Sequence, residues 1–177
     1  MKQVLSDKQV AQALGLLYRH IAQQIPDEAP LAVIGIRTRG QMLAERLVAR
    51  LRRDRPDRKI DTGVLDITFY RDDLWRSGGA PVVRATQIDF KLDDAWVLLV
   101  DDVLQTGRSV RAALDALTDF GRPRVIRLAV LIDRGGRELP IAADFVGRRL
   151  KAPHDMRVQL RLRENDGQEG VFITPKG

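Results

Sequence analysis

Cysteine is absent from the 177 residues, and its absence removes disulfides, thiolate nucleophiles and sulfur-ligated metals from consideration. A reducing compartment suits such a chain. Long apolar runs are missing too. AWVLLV and LAVLI fall far short of the roughly 18 residues a membrane span needs, and the opening MKQVLSDKQV has no apolar segment of the kind that directs export. A cytoplasmic protein with no membrane anchor is expected. Histidine is scarce: His20 and His154 stand far apart and lack the further ligands that a metal site or catalytic pairing needs.

What is present reads as a globular α/β chain. Hydrophobic residues make up 44 % and charged residues 31 %, and the length fits a single domain over residues 1–177 that buries roughly two thirds of its unfolded surface. Only the last dozen residues read as loose. The formal charge of +6 favours a partner carrying phosphates, either a small nucleotide or a nucleic acid. The basic residues crowd between Arg46 and Lys59 and again between Arg148 and Arg163, where a solvated helix face and a strand edge are the plain alternatives.

Apolar periodicity orders the elements. Val10, Ala13, Leu14, Leu17, Ile21 and Ile25 recur at helical spacing after Ser6-Asp7, a helix start signal. LAVIGI at 31–36 is a short buried strand, and Leu43, Leu47 and Leu51 mark the helix after it. GVLDITFY, AWVLLVDD and VIRLAVLID read as further strands, with a helix from Val110 to Phe120 between the last two. Strands alternating with helices predict a mostly parallel twisted sheet flanked by helices. Residues 70–86, with RDDLWRSGGAP, form a polar, glycine-rich stretch too long for a tight turn, and suggest a mobile flap.

In such sheets ligands sit beyond the carboxyl ends of the strands. The stretch VLLVDDVLQTGRSV sets an apolar strand against Asp101 and Asp102, followed by Thr106, Gly107, Arg108 and Ser109 where a helix begins. Backbone N–H groups, two hydroxyls and a helix N-terminus there can surround a phosphate, with Gly107 permitting close approach. The two acids, one loop away, can accept hydrogen bonds from ribose hydroxyls or balance positive charge on a sugar. Either half alone is compatible with a turn and a helix cap; together they point to a sugar phosphate. Gly35 and Gly40 have the spacing of a P-loop, but Gln41 and Met42 stand where Lys and Ser or Thr are required, so a kinase or ATPase of that class is excluded. Thr38, Arg39 and Gly40 remain as a second anion site.

VLLVDDVLQTGRS resembles the phosphoribosyl-pyrophosphate (PRPP) signature of type I phosphoribosyltransferases. GIRTRG, DITFYRDDL, DDVLQTGRSVRAALDAL, GRP and LAVLIDRGGRELPI are similar, in order and spacing, to the bacterial pyrimidine-operon attenuators that are also uracil phosphoribosyltransferases. The likeness covers about residues 4–162. It implies the type I fold with a small hood, and the conversion of uracil and PRPP to UMP and diphosphate with Mg2+ held mainly through the substrate, near Asp101 and Asp102. It implies that Val103, Leu104, Gln105, Thr106, Gly107, Arg108 and Ser109 hold the 5′-phosphate, and that Thr38, Arg39 and Gly40 take the pyrophosphate. Tyr70, Arg71, Asp72 and Asp73 would form the flap, with Arg71, Asp101 and Asp102 as catalytic residues. Uracil would lie near Ile132, Asp133 and Arg134.

Regulation follows from the same resemblance: UMP or UTP as effectors, and operon leader RNA bound by Arg137, Arg148 and Arg149. A homo-oligomer, dimer or higher, is also implied. The chain departs from the family pattern at Gly136 and Ala142, where His and Arg are usual, and at Gln105, where Tyr is usual. A second reading therefore stands beside the enzyme: an RNA-binding nucleotide sensor with little or no turnover.

Overall fold

The computed structural model describes residues 1–70 and 85–176. Five strands, β2 (Leu31–Ile36), β3 (Asp61–Leu65), β4 (Trp96–Leu104), β5 (Val125–Asp133) and β6 (Phe145–Arg149), form a wholly parallel sheet in the order β3-β2-β4-β5-β6. A parallel sheet is covered on both faces, which explains why β2 and the centre of β4 are continuous apolar runs.

Alternation along each strand divides the core. Leu31, Val33, Leu98, Val100, Ala129 and Leu131 pack beneath α1 (Asp7–Ala22) and α2 (Arg39–Asp54). Ala32, Ile34, Val97, Leu99, Leu128 and Val130 face α3 (Arg108–Leu117) on the other side. The first helix starts as expected: the Ser6 hydroxyl accepts from the Gln9 N–H while the Gln9 side chain accepts from the Ser6 N–H, a capping box that satisfies two amide groups at the helix start.

A second, three-stranded antiparallel sheet forms the hood. Its order is β1 (Lys2–Leu5), β8 (Gly170–Pro175) and β7 (Met156–Arg161), with the short helix α4 (Arg163–Asp166) between the last two strands of the chain. This corrects the expectation of a loose tail. β8 is the central strand of that sheet, hydrogen-bonded on both sides, and Val171 is fully buried. The other differences are local. GVLDITFY is a strand only to Leu65, because the Asp66 carboxylate accepts from the Thr68 backbone N–H and hydroxyl and turns the chain into a 3-10 turn, Thr68–Tyr70. The helix expected over 110–120 begins at Arg108 and relaxes to a 3-10 turn over Thr118–Phe120.

Candidate active site

β4 lies at the centre of the sheet, so its carboxyl end opens where neighbouring loops converge. The strand carries Asp101 and Asp102, then turns through Gln105 and Thr106 into α3. Gly107 is the N-cap, with φ +93°. A β-carbon there would be strained by this φ and would press on Ile141 at 3.3 Å, so glycine is required. Gly107 supplies no side-chain cap of its own, and the Arg108 N–H at the start of α3 donates to the Thr106 hydroxyl at 3.3 Å; the remaining first-turn amides suit the helix start to an anion. A cleft of about 730 Å³ opens here, lined by Arg39, residues 101–110, Glu138, Arg157, Val158 and Gln159.

The two acids differ in their surroundings. Asp101 is buried, and its carboxylate accepts from the Asp102 N–H at 2.9 Å. Asp102 accepts from the Val103 N–H at 2.8 Å. Burial pushes the Asp102 carboxyl above the usual range, while the Val103 N–H and the charge of Arg39 pull it back.

The second anion loop lies against the first. Thr38 is the N-cap of α2, preceded by a cis Arg37–Thr38 peptide. Gly40 is buried against β4, and Gly35 against the start of α2: a β-carbon on Gly35 would lie 2.5 Å from the Gln41 α-carbon. The P-loop-like spacing of these glycines thus has a packing cause. Arg39 lines the cleft and forms a two-pronged ion pair with Asp166, 127 residues away, at 3.2 Å and 2.7 Å.

The structure brings Asp101, Asp102, residues 103–109 and Arg39 to one cleft, and it puts other expected site residues elsewhere. The Ile132 side chain is fully buried in the core. Arg134 is buried as well, with its guanidinium donating to the carbonyls of Met156, Pro153 and Ala152 at 2.6, 3.0 and 3.3 Å. It ties β5 to the hood. Asp133 pairs with Arg137 at 2.8 Å; burial works against its ionisation, but Arg137 and the Gly135 N–H outweigh it and hold its carboxyl below the usual range.

Arg137, expected on an RNA face, donates to the Gln105 carbonyl at 2.8 Å and the Ile141 carbonyl at 2.9 Å, bracing the loop that leads into α3. Arg148 and Arg149 are exposed at the end of the sheet's edge strand β6. The Tyr70 hydroxyl donates to Asp119 and its carbonyl accepts from Arg111 at 3.2 Å, which anchors the start of the flap stretch to α3 and the turn after it. Arg71, Asp72 and Asp73 lie outside the described residues.

Sequence reasoning missed Glu138, Arg157, Val158, Gln159 and Asp166. The alternation of β7, with Val158 and Leu160 buried and Arg157, Gln159 and Arg161 less so, is the one signal that pointed to a strand with a polar face. Two of the departures from the family pattern also meet in space: a β-carbon on Gly136 would lie 3.8 Å from the Gln105 side chain. Both Gly135 and Gly136 have positive φ, +69° and +77°, so a side chain at 136 would be strained.

Comparisons with known proteins agree with this geometry. The model of the phosphoribosyl transferase domain matches residues 2–159. A bifunctional protein PyrR of Roseiflexus sp. is 53 % identical over 98 % of this chain and 94 % of its own length. The chain belongs to the PyrR family of phosphoribosyltransferases. Further members of that family, from Pelotomaculum thermopropionicum and Deinococcus radiodurans, are 47 % and 48 % identical over 97 % and 96 % of the chain, covering 94 % and 92 % of theirs. Among solved structures, the hypoxanthine phosphoribosyltransferase of Trypanosoma cruzi superposes with a TM-score of 0.69 over 99 % of this chain and 98 % of its own, at 16 % identity. That likeness establishes the type I fold, which PyrR proteins share with purine enzymes of little sequence similarity.

Proposed function

We propose that the protein transfers the phosphoribosyl group of PRPP to uracil, giving UMP and diphosphate, with the whole chain acting as one phosphoribosyltransferase domain. The observation that carries this reading is one cleft lined by the acid pair of β4, the start of α3 and Arg39 of the second anion loop. In the reaction the bond from ribose C1′ to the diphosphate oxygen breaks, a bond from C1′ to uracil N1 forms, and the N1 proton leaves. Positive charge grows on the sugar and negative charge on the leaving group. Asp101 and Asp102 oppose the first and Arg39 the second, so no protein nucleophile is required.

The 5′-phosphate sits on the backbone of residues 103–109 at the helix start, with Thr106 and Ser109 adding hydroxyls. Thr38, Arg39 and Gly40 hold the pyrophosphate. The carboxylates of Asp101 and Asp102 are hard oxygen donors that fit Mg2+, which PRPP brings on its own oxygens. The ion neutralises charge on the leaving diphosphate when bound. Uracil lies on the β7 side of the cleft, toward Val158 and Gln159.

The name of the relatives, bifunctional protein PyrR, supports a regulatory half in which UMP or UTP licenses binding of pyrimidine-operon leader RNA. Exposed Arg148 and Arg149 at the sheet edge fit a phosphate-tracking face, and the working form is a homo-oligomer. The deciding experiment measures nucleotide formation from Mg2+, PRPP and uracil, beside orotate, hypoxanthine, guanine and adenine. Uracil-selective turnover is expected. Binding of UMP with no turnover on any base would leave a nucleotide-sensing regulator, and a salt-dependent gel shift with leader RNA, weakened by replacing Arg148 and Arg149, tests the second half.

A further inference from the structure

Arg39 offers five N–H donors, and only part of them is used by Asp166: Nε donates to Oδ2 at 3.2 Å and Nη2 to Oδ1 at 2.7 Å. Among the described residues, both Nη1 hydrogens and one on Nη2 meet no further acceptor. The side chain lines the cleft beside residues 101–109, and its charge reaches Asp102. Asp166 itself is fixed. Its Oδ2 accepts from the Leu162 N–H at 2.9 Å, and its side chain is only 16 % exposed against 27 % for Arg39. Burial disfavours its charge, but Arg39 and the Leu162 N–H outweigh that and hold its carboxyl below the usual range.

The segment bearing Asp166 is docked independently of Arg39. Arg46, two turns along α2, donates to both Glu164 and Glu169 through bonds of 2.8–2.9 Å. A tie between the hood and α2 therefore exists without Asp166. The Arg39–Asp166 pair instead fixes a long cation at the cleft rim, and a two-pronged pair fixes direction as well as place.

We propose that Asp166 is a positioning residue for the pyrophosphate of PRPP, holding Arg39 so that its unused N–H groups face the cleft. The proposal rests on Arg39 as a pyrophosphate ligand. Without the carboxylate, Arg39 must be ordered when the ligand arrives, which weakens binding by roughly 3- to 10-fold. Asp166→Asn keeps an acceptor for the Leu162 N–H but sets an NH2 against the guanidinium, so the fork opens.

The test is calorimetric binding of Mg–PRPP, Mg–pyrophosphate and UMP to the full chain, its D166N and R39A variants and the double variant. D166N is expected to weaken PRPP and pyrophosphate by that factor, to leave UMP unchanged, and to add nothing once Arg39 is gone. An equal cost of D166N in the R39A background would make Asp166 merely structural, and tighter PRPP binding would make it a competitor of the ligand. Either result overturns the proposal.

Arg46→Ala controls for a loosened hood: it must weaken pyrophosphate binding less than D166N at a matched loss of Tm, and the reverse order overturns the proposal. PRPP binding that falls in R39A and not in D166N defeats this inference alone. A wild-type protein that binds neither PRPP nor pyrophosphate defeats the reading of the site and this inference with it.

Discussion

Gly40, in the first turn of α2, lies against Val100 of β4 so closely that a β-carbon on it would sit 2.5 Å from the Val100 carbonyl oxygen and 3.1 Å from the Asp101 α-carbon. The loop at the start of α2, proposed to hold the pyrophosphate, is thereby pressed against the strand that carries the acid pair. Backbone on both sides cannot yield as a flexible side chain would. Gly40→Ala is expected to cost about 1–3 kcal/mol of stability by overpacking and to raise KM for PRPP. Denaturant unfolding and initial rates check the two effects, and an unchanged KM beside a lowered midpoint would separate the loop from the site.

Asp101 and Asp102 bind local backbone N–H groups through carboxylate oxygens that asparagine can supply. The double change to Asn should therefore leave the fold intact while lowering turnover by roughly 100-fold or more. Because burial opposes ionisation of Asp102, removing its charge should not lower Tm. Retained turnover would sink the assignment of the pair.

Arg134, expected beside uracil, turns its guanidinium to three backbone carbonyls of the following segment. Arg134→Met removes the donor shared by the carbonyls of Ala152, Pro153 and Met156, at a cost of about 1–3 kcal/mol, with no change in base preference. A changed preference with full stability would return Arg134 to the uracil site.

The chain has two tyrosines, and both donate to carboxylates. Burial, and then the hydrogen bond to Asp54 at 2.5 Å, push Tyr18 up to about 12; the bond to Asp119 raises Tyr70. A raised folded value means that this stability is fully present below about pH 10, the unfolded value, and is lost as pH climbs through about 12 for Tyr18. Phenolate absorbance should appear above pH 10 in the native protein and near 10 after denaturation. Asp54→Asn should bring one of the two back toward 10.

Much of the fold was legible because parallel strands buried on both faces must be apolar throughout. LAVIGI, WVLLV and LAVLI announce β2, β4 and β5 wherever they lie in the chain. The arrangement around the acid pair was legible for a related reason: strand, acids, turn and helix are consecutive, so local order nearly equals spatial order. β8 was not legible. Its GVFITP is short, follows a charged stretch, and has as partners β1 at the opposite end of the chain and β7.

The same distinction governs the arginines. Composition pointed to a basic chain suited to phosphates, and motif order placed the two acids and the Thr-Gly turn next to one another. Whether a given arginine meets a ligand, solvent or a carbonyl was decided only by tertiary structure. Arg39 finds Asp166 across 127 residues, Arg134 and Arg137 turn inward to carbonyls, and Arg148 and Arg149 stay out. Hydrophobic periodicity is a local property that the chain carries with it. The partner of a long charged side chain is a property of the folded surface, fixed only once distant segments have come together.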